Sequence, residues 1–238
     1  MTIKLNKKSN RGTADFGWLK ANFSFSFGNY FNPEKIQFGA LRVLNDDYIA
    51  AGMGFGTHPH ANMEIITIPL EGALMHKDSM GNQATVQFGE VQVMSAGTGI
   101  EHSEMNPSQT EPAKILQLWV FPEKQNVTPR YDQKSFDLES KINTFVNVVL
   151  PFDKNDGNAL WVYQQTFFSL GIFDANESID YQINIPKNGV YLFLISGEIE
   201  IDNIVVNERD AVEITNCESF KINTKAKSKI LLIEVPMQ

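Results

Sequence analysis

All four histidines of this 238-residue chain lie before residue 103, and two of them are separated by a single residue. His58 and His60 flank a proline in the stretch GTHPHANME. Residues two apart on an extended strand point to the same face, so both rings can approach one point. Pro59 lacks a backbone donor, which predicts that this strand begins here or lies at a sheet edge. Two imidazoles placed in this way suit a divalent transition metal.

A second pair follows in GTGIEHSEMNP, where His102 and Glu104 are again two residues apart. If the two strands are neighbours, three imidazoles and one carboxylate share a face, which suits a divalent transition metal with open positions for water, substrate or oxygen. The alternative is that these are ordinary strand-edge histidines bonded to backbone or carboxylate groups. Because three of the four histidines fall into such pairs beside glycine-rich turns, we favour the metal site.

The elements that must position these residues are predicted to be β-strands. Short runs rich in Val, Ile, Phe, Tyr and Thr alternate with Gly, Asn, Asp and Pro at intervals of about 8 to 12 residues, and helical periodicity is scarce. The segment HKDSMGNQAT is predicted to form a β-hairpin tip because Gly-Asn favours a tight turn. The main strand candidates are FGALRVLNDDYIA, EIITIPLEGALMHKD, TVQFGEVQVMSAG, KILQLWVFP and FKINTKAKSKILLIEVP.

A weak internal repeat predicts two copies of one β-unit. The segment ITIPLEGALMHKDSMGNQATVQFGEVQVM aligns with LFLISGEIEIDNIVVNERDAVEI, so that Gly72 matches Gly197, 125 residues later. We therefore expect an all-β protein of two β-barrel domains packed together. The boundary should lie in the polar stretch 121–141, with residues 1–130 forming the metal-binding domain and residues 131–238 a domain without a histidine metal site.

Composition narrows the classes of function. The formal net charge of -8 and a sequence pI of about 5.0 argue against a nucleic-acid-binding surface. The longest apolar runs are strand-sized, which argues against a membrane span. Cys217 is the single cysteine and excludes an internal disulfide framework, which fits a reducing compartment. We expect a cytoplasmic monomer whose acidic surface suits a protein partner better than DNA.

The first half of the chain resembles the pirin family, a branch of the cupin superfamily. The resemblance rests on RGTADFGWL, FSFGNYFNP, FGALRVLNDD, GFGTHPHANMEIITIPLEGALMHKDSMGN and VQVMSAGTGIEHSEMNP. It implies a bicupin of two double-stranded β-helix (jelly-roll) domains, with one metal ion held by His58, His60, His102 and Glu104. Members of the family commonly carry histidines in the stretch that here reads TADFGWLKANFSF, whereas this chain has none there.

Two further residues belong to the same motifs. Many cupins use the glutamate at the position of Glu64 as a ligand. The resemblance to pirins gives that role to Glu104 instead, and we expect Glu64 at most to orient a ligand histidine. His76 precedes the hairpin tip, and we expect it to be a half-exposed strand residue without a catalytic role.

The resemblance also implies an activity, because some pirin-like proteins are quercetin 2,3-dioxygenases that open a flavonol with O2 and release carbon monoxide. Glu104 would then take the proton of the flavonol 3-hydroxyl. We expect Fe(II) as the metal, with Ni, Mn, Cu, Co and Zn as alternatives. The flat ligand would be enclosed by residues such as Phe38, Phe55, Met63 and Met94, although core packing explains these equally well. The alternatives are a metal-dependent, redox-sensing regulator that binds a protein partner, and a cupin acting on an unrelated small molecule.

Overall fold

The chain folds almost entirely into short β-strands, as expected from its pattern of apolar runs. The computed structural model describes residues 1–237. Its first half contains strands β1 (Thr2–Asn6), β2 (Gly12–Asp15), β3 (Leu19–Phe23), β4 (Leu41–Ile49), β5 (Gly54–His60), β6 (Glu64–Glu71), β7 (Ala73–Asp78), β8 (Gln83–Gln87), β9 (Glu90–Ser95), β10 (Ile100–Met105) and β11 (Ala113–Val120).

The second half contains strands of similar length. They are β12 (Arg130–Ser135), β13 (Val146–Pro151), β14 (Leu160–Val162), β15 (Phe167–Phe173), β16 (Ser178–Gln182), β17 (Gly189–Ser196), β18 (Glu198–Ile201), β19 (Ile204–Asn207), β20 (Ala211–Thr215), β21 (Ser219–Thr224) and β22 (Ser228–Val235). Three single-turn 3-10 helices lie at Lys8–Asn10, Glu139–Lys141 and Phe152–Lys154.

Each half forms a barrel from a seven-stranded and a four-stranded sheet. The first barrel has the strand orders β12-β9-β6-β11-β4-β3-β2 and β5-β10-β7-β8. The second has β1-β20-β17-β22-β15-β13-β14 and β16-β21-β18-β19. The two orders correspond, with β6 matching β17 and β10 matching β21, except that the outermost pair is antiparallel in the first barrel (β2 with β3) and parallel in the second (β13 with β14). The predicted all-β bicupin fold, with its internal repeat, is confirmed.

Local turns of the repeat also match. Gly72 follows β6 and Gly197 follows β17, and both have left-handed backbone conformations, with φ of 71° and 96°. The hairpin predicted within HKDSMGNQAT joins β7 to β8, and Gly81 in its turn has a φ of 92°. Glycine adopts such positive φ values without the steric cost that a Cβ would bring.

Two strands pair across the expected domain boundary. β1 begins the chain but pairs with β20 of the second barrel, and β12 follows residue 129 but pairs with β9 of the first barrel. They occupy equivalent places, each at one end of a seven-stranded sheet. The domain bounds of residues 1–130 and 131–238 stay a prediction. Each seven-stranded sheet nevertheless includes one strand from the other half of the chain.

The largest buried apolar cluster lies between the barrels. It joins residues of the first seven-stranded sheet, including Ile66 and Leu118, to residues of the second, including Phe168, Phe193 and Leu231. The facing surfaces of the two sheets therefore pack on one another, and the opposite surface of each sheet is left to face its own four-stranded sheet. None of the helices within residues 1–237 has the length and apolar character that crossing a membrane requires.

Candidate metal centre

Three of the four histidines meet in the first barrel. His58 and His60 extend from β5, the edge strand of the four-stranded sheet, and His102 extends from the neighbouring strand β10. The ring centroids of the three pairs lie 4.9, 4.5 and 5.0 Å apart. One ligand nitrogen from each ring lies within 4.8 Å of the others. The edge position that Pro59 predicts is confirmed, and the adjacent strands bring both sequence pairs to one place.

Hydrogen bonds select the nitrogens that face this point. His58 Nδ1 lies 2.8 Å from the Gly56 carbonyl oxygen, so Nδ1 carries the proton and Nε2 keeps a free lone pair. His102 Nε2 is buried and has no hydrogen-bond partner among residues 1–237. A buried acceptor without a partner is costly, and a metal ion would satisfy it. The donor set therefore fits a divalent transition metal.

The protonation state of the rings also fits metal binding, which requires neutral imidazole. Burial, with a smaller contribution from His58, lowers the pKa of His60 to about 4. Burial and the neighbouring histidines lower the pKa of His102 to about 3. Both rings are therefore neutral at pH 7 and can offer a lone pair.

His76 differs from its expected description as a half-exposed strand residue. It is fully buried on β7, next to β10, and its Nε2 lies 3.0 Å from Asp78 Oδ2. Its Nδ1 lies 3.4 Å from His102 Nδ1, and its ring stacks on Tyr131 at 4.5 Å. Asp78 accepts a hydrogen bond from the protonated Nε2 of His76, so Nδ1 of His76 has a free lone pair. That Nδ1 accepts a hydrogen bond from His102 Nδ1, which leaves His102 Nε2 unprotonated and able to bind a metal.

The spacing of His76 and Asp78 in the sequence indicates this contact. His76 and Asp78 are two residues apart, which is the same spacing as His58 with His60 and His102 with Glu104. Residues at this spacing share a strand face, and the expected strand exposure of His76 was wrong because that face points into the barrel.

Glu104 lies apart from the two β5 histidines that are expected to share its metal. It is 2% exposed, and its carboxylate accepts hydrogen bonds from Gln117 Nε2 at 2.9 and 3.2 Å and from Thr67 Oγ1 at 3.4 Å. Burial raises its pKa. A carboxylate oxygen lies within 4.8 Å of ligand atoms of His102 and His76, but Glu104 is not in the group that unites His102 with both β5 histidines. Its role as fourth ligand stays a prediction.

The pairing of β10 with β5 is irregular between His102 and Glu104. β10 pairs His102 with His58 but Glu104 with Phe55, so β5 contains one more residue than β10 over this interval. Such a bulge re-aims side chains and is common beside functional sites. It moves the His58 and His60 pair relative to Glu104.

Glu64 contacts none of the clustered histidines, so of its two expected roles, orienting a ligand histidine or none at the metal, the second agrees with its position. It lies on the face of β6 that also carries Ile66 and Ile68, which pack between the barrels. Its carboxylate accepts a 2.7 Å hydrogen bond from Ser95 Oγ. Burial raises the pKa of Glu64 to about 7, against the opposing effects of Ser95 and Arg130. The shared parity of residues 58, 60 and 64 does not bring Glu64 to the histidines because the chain turns at residues 61–63, between β5 and β6.

A cavity of about 690 Å³ opens beside the histidines. Its polar lining includes His58, His60, Glu104 and Gln117. Much of its apolar wall is aromatic and is formed by Phe16, Phe23, Phe27, Tyr30, Phe55 and Trp119. A space of this size, with flat apolar walls and a few polar groups, suits a planar aromatic ligand.

Only one of the four proposed enclosing residues lines this cavity. Phe55 does, whereas Phe38 belongs to the core between the barrels and Met94 to a small core cluster against which Met63 packs. Most of the wall comes instead from residues 13–30, a segment that contains no histidine. Its alternating apolar residues are the sequence pattern that indicates a strand facing the barrel interior.

Comparisons with known proteins cover both barrels. The family model described as Pirin matches residues 4–120, and the model described as Quercetinase C-terminal cupin domain matches residues 148–235. The chain is 40% identical to the quercetin 2,3-dioxygenase of Escherichia coli strain K12, with 98% of this chain and 99% of that protein covered. It is 36% identical to a pirin-like protein of Caulobacter vibrioides, over 94% and 95% of the two chains.

A solved structure agrees with these sequence matches. The crystal structure of the bacterial pirin YhhW from Escherichia coli in complex with nickel(II) superposes with a TM-score of 0.93, at 40% identity and over 100% of both chains. Matches of this extent, in sequence and in fold, leave no part of either barrel unaccounted for. The chain belongs to the pirin family.

Proposed function

We propose that this protein is a metal-dependent dioxygenase that cleaves flavonols such as quercetin, using O2 and releasing carbon monoxide. One observation carries the proposal: His102, whose buried Nε2 has no partner within residues 1–237, clusters with His58 and His60, which line a 690 Å³ cavity with aromatic residues. The names of the relatives support it, since the Escherichia coli protein is a quercetin 2,3-dioxygenase and YhhW has been crystallised with nickel(II).

The metal site in this proposal consists of His58, His60, His102 and Glu104. A divalent transition metal held there supplies Lewis acidity toward a substrate oxygen and redox chemistry toward O2. We take Fe(II) as the first candidate, with nickel the metal found in the related crystal structure. Neutral imidazoles and a buried carboxylate accept any of the first-row divalent ions, so ligand type does not choose among them.

The chain's own residues provide binding and proton transfer. Phe23, Phe27 and Trp119 offer flat surfaces to the rings of a flavonol. Glu104 takes the proton of the flavonol 3-hydroxyl on a carboxylate oxygen when it is not tightly coordinated to the metal. Gln117 and Thr67 hold that carboxylate in place. Because Glu104 is buried, water is excluded from the flavonol 3-oxygen after it has lost its proton.

Reconstitution tests the proposal directly. The metal-free protein is loaded separately with Fe(II), Ni(II), Mn(II), Co(II), Cu(II) and Zn(II), and oxygen uptake and carbon monoxide release are measured with quercetin. We expect equal amounts of O2 consumed and CO released with at least one redox-active metal. Quercetin methylated at the 3-hydroxyl is the matched control, because it has no proton for Glu104 to remove. Absence of turnover with every metal would contradict the flavonol activity.

A regulatory role is the second candidate, in which the metal's oxidation state would control binding of a protein partner. The half-buried His58 and His60 lie on an edge strand, so the metal is close to a surface that a partner could contact. The large cavity beside these histidines favours a small-molecule ligand over a protein partner. A pull-down with oxidised and reduced holoprotein distinguishes the two, since only the regulator requires capture that depends on oxidation state.

A further inference from the structure

Two buried oxygens in the cavity wall have no hydrogen-bond partner among residues 1–237. They are Oδ1 of Asn45 and Oδ1 of Asp47, and the two residues are 3% and 5% exposed. Leaving such a group unpaired costs about 1–3 kcal/mol, and more for a charged one. Native structures seldom retain that cost without a role for the group.

Strand geometry places both side chains in the same cavity. Asn45 and Asp47 are two apart on β4 and therefore share a face, and both line the 690 Å³ space together with Gln117. Asp46 between them points to the other face, where its carboxylate contacts Arg11 and Arg209. Asn45 and Asp47 are therefore not paired with these cations, and the cavity is the space that both side chains line.

The two residues extend the polar part of the cavity away from the histidines. Asn45 lies beside Gln117 in the strand register, and Gln117 hydrogen-bonds Glu104. On the other side, Asn45 and Asp47 are paired with Phe23 and Ala21 of β3. A planar ligand packed on the aromatic wall would present its edge to these oxygens.

We propose that Asn45 and Asp47 form a subsite that hydrogen-bonds the ring hydroxyls of a phenolic substrate, distinct from the hydroxyl that reacts. The inference rests on the proposed flavonol activity and adds to it a determinant of substrate choice. Hydroxyls are the matching group because they can donate a hydrogen bond to an unpaired oxygen, whereas an ionised substrate carboxylate has no hydrogen to donate.

The electrostatic environment agrees with this assignment. Burial, together with the neighbouring Asp46 and Glu104, raises the pKa of Asp47 well above its usual range. A carboxyl group in that condition both donates and accepts hydrogen bonds, as phenolic hydroxyls do. A site that hydrogen-bonds a substrate hydroxyl rejects an analogue without it, because its own groups then stay buried and unpaired.

The test compares two flavonols on three proteins. Binding of quercetin and of 3-hydroxyflavone, which lacks the other ring hydroxyls, is measured without oxygen by tryptophan fluorescence for the wild type, Asp47→Leu and Asp47→Asn. We expect Asp47→Leu to weaken quercetin binding about tenfold and to leave 3-hydroxyflavone binding within about twofold. Asp47→Asn, which retains hydrogen-bonding capacity, should have an intermediate effect. In aerobic assays the loss should appear in KM for quercetin, with kcat for 3-hydroxyflavone retained.

Asp46→Asn is the matched control, because it makes a similar change one residue along the strand but on the face away from the cavity. Thermal unfolding verifies that each variant is folded; if Asp47→Leu is not, the Asp47→Asn variant and the wild-type preference for quercetin decide the outcome. Equal losses for both flavonols, or none for either, would overturn the subsite while turnover by the wild type upholds the proposed activity. If the wild type binds neither flavonol, both the subsite and the flavonol activity are overturned.

Discussion

The two barrels have the same strand order but different interiors. In the second, fifteen buried residues, among them Phe173, Leu192, Ile222 and Leu232, form one continuous apolar core. In the first, the corresponding space contains two smaller clusters, around Leu74 and around Met94, and between them lie the histidines and the cavity. One architecture therefore supports either a packed core or a site, depending on which side chains face inward.

Buried carboxylates show the same contrast. Glu234 of the second barrel accepts hydrogen bonds from Tyr181, Asn184, Ile185 and Asn188, so its desolvation is offset within the chain. Asp47 of the first barrel has a buried oxygen with no partner among residues 1–237. A satisfied carboxylate joins strands and loops of its own barrel. An unsatisfied one is directed at something outside the chain.

The largest effect should follow from removing a clustered histidine. We expect His58→Ala to lose nearly all bound metal after dialysis, a greater loss than the roughly 10–100-fold caused by removing a group that only orients a ligand. Thr57→Ala, at an exposed neighbour on the same strand, is the control and should keep its metal. Metal per chain is measured by elemental analysis. Full metal content in His58→Ala would remove it from the ligand set.

A core substitution in the second barrel should reduce stability and spare the site. Leu192 is fully buried, so Leu192→Ala should lower the free energy of unfolding by about 2–5 kcal/mol without changing metal content. Phe55→Ala in the first barrel faces an existing cavity and should cost less. Urea unfolding of the metal-free proteins measures both. Equal losses would mean that the cavity wall is packed as tightly as the core.

Glu64 tests whether the face between the barrels is independent of the metal. Its pKa of about 7, against an ordinary value of 4.5, means that the folded state holds a proton which the unfolded state releases between these values. Stability should therefore be highest below pH 4.5 for this group and fall as pH rises to 7, by on the order of 3 kcal/mol.

Glu64→Gln should remove that part of the pH dependence and leave metal content unchanged. The measurement is the difference in unfolding free energy between Glu64→Gln and the wild type at pH 5 and pH 8, with metal-free protein so that the histidine contribution is common to both. The variant should gain stability relative to the wild type at the higher pH. A difference that does not vary with pH, or a loss of metal, would contradict this placement of Glu64.

The smallest effect concerns His76, which contacts a clustered histidine from outside the cluster. His76→Phe keeps an aromatic ring but removes the acceptor for His102 Nδ1, and should weaken metal affinity by about 10–100-fold. Tyr131→Phe, which keeps the stacked ring, should have little effect. Competition with a chelating dye measures both affinities with Ni(II). Unchanged affinity in His76→Phe would show that the contact does not support the ligand.

Local sequence patterns were sufficient for the fold class and the histidine cluster. Pairs of residues two apart, such as His58 with His60, reveal a shared face without knowledge of tertiary structure. The repeat was visible because Gly72 and Gly197 meet the same backbone requirement in both barrels. These features depend on neighbours in sequence, so sequence alone contains them.

Other features depend on strand pairing and were not predictable in the same way. The turn at residues 61–63 and the bulge in β5 decide where Glu64 and Glu104 point, and neither has a clear composition signal. The burial of His76 depends on which face of β7 turns inward. The sequence around Asn45 and Asp47 predicts only a strand, and their place in the cavity wall follows from the tertiary structure.

The exchange of β1 and β12 between the barrels has a consequence for how the chain acquires its structure. β1 is synthesised long before its partner strand β20, since Lys4 contacts Glu213, 209 residues later. The second barrel therefore cannot complete its sheet until β20 has been synthesised, and β1 must stay unpaired until then. Closing so long a loop is slow. A nascent chain halted before β20 should present β1 as an accessible strand to chaperones and proteases.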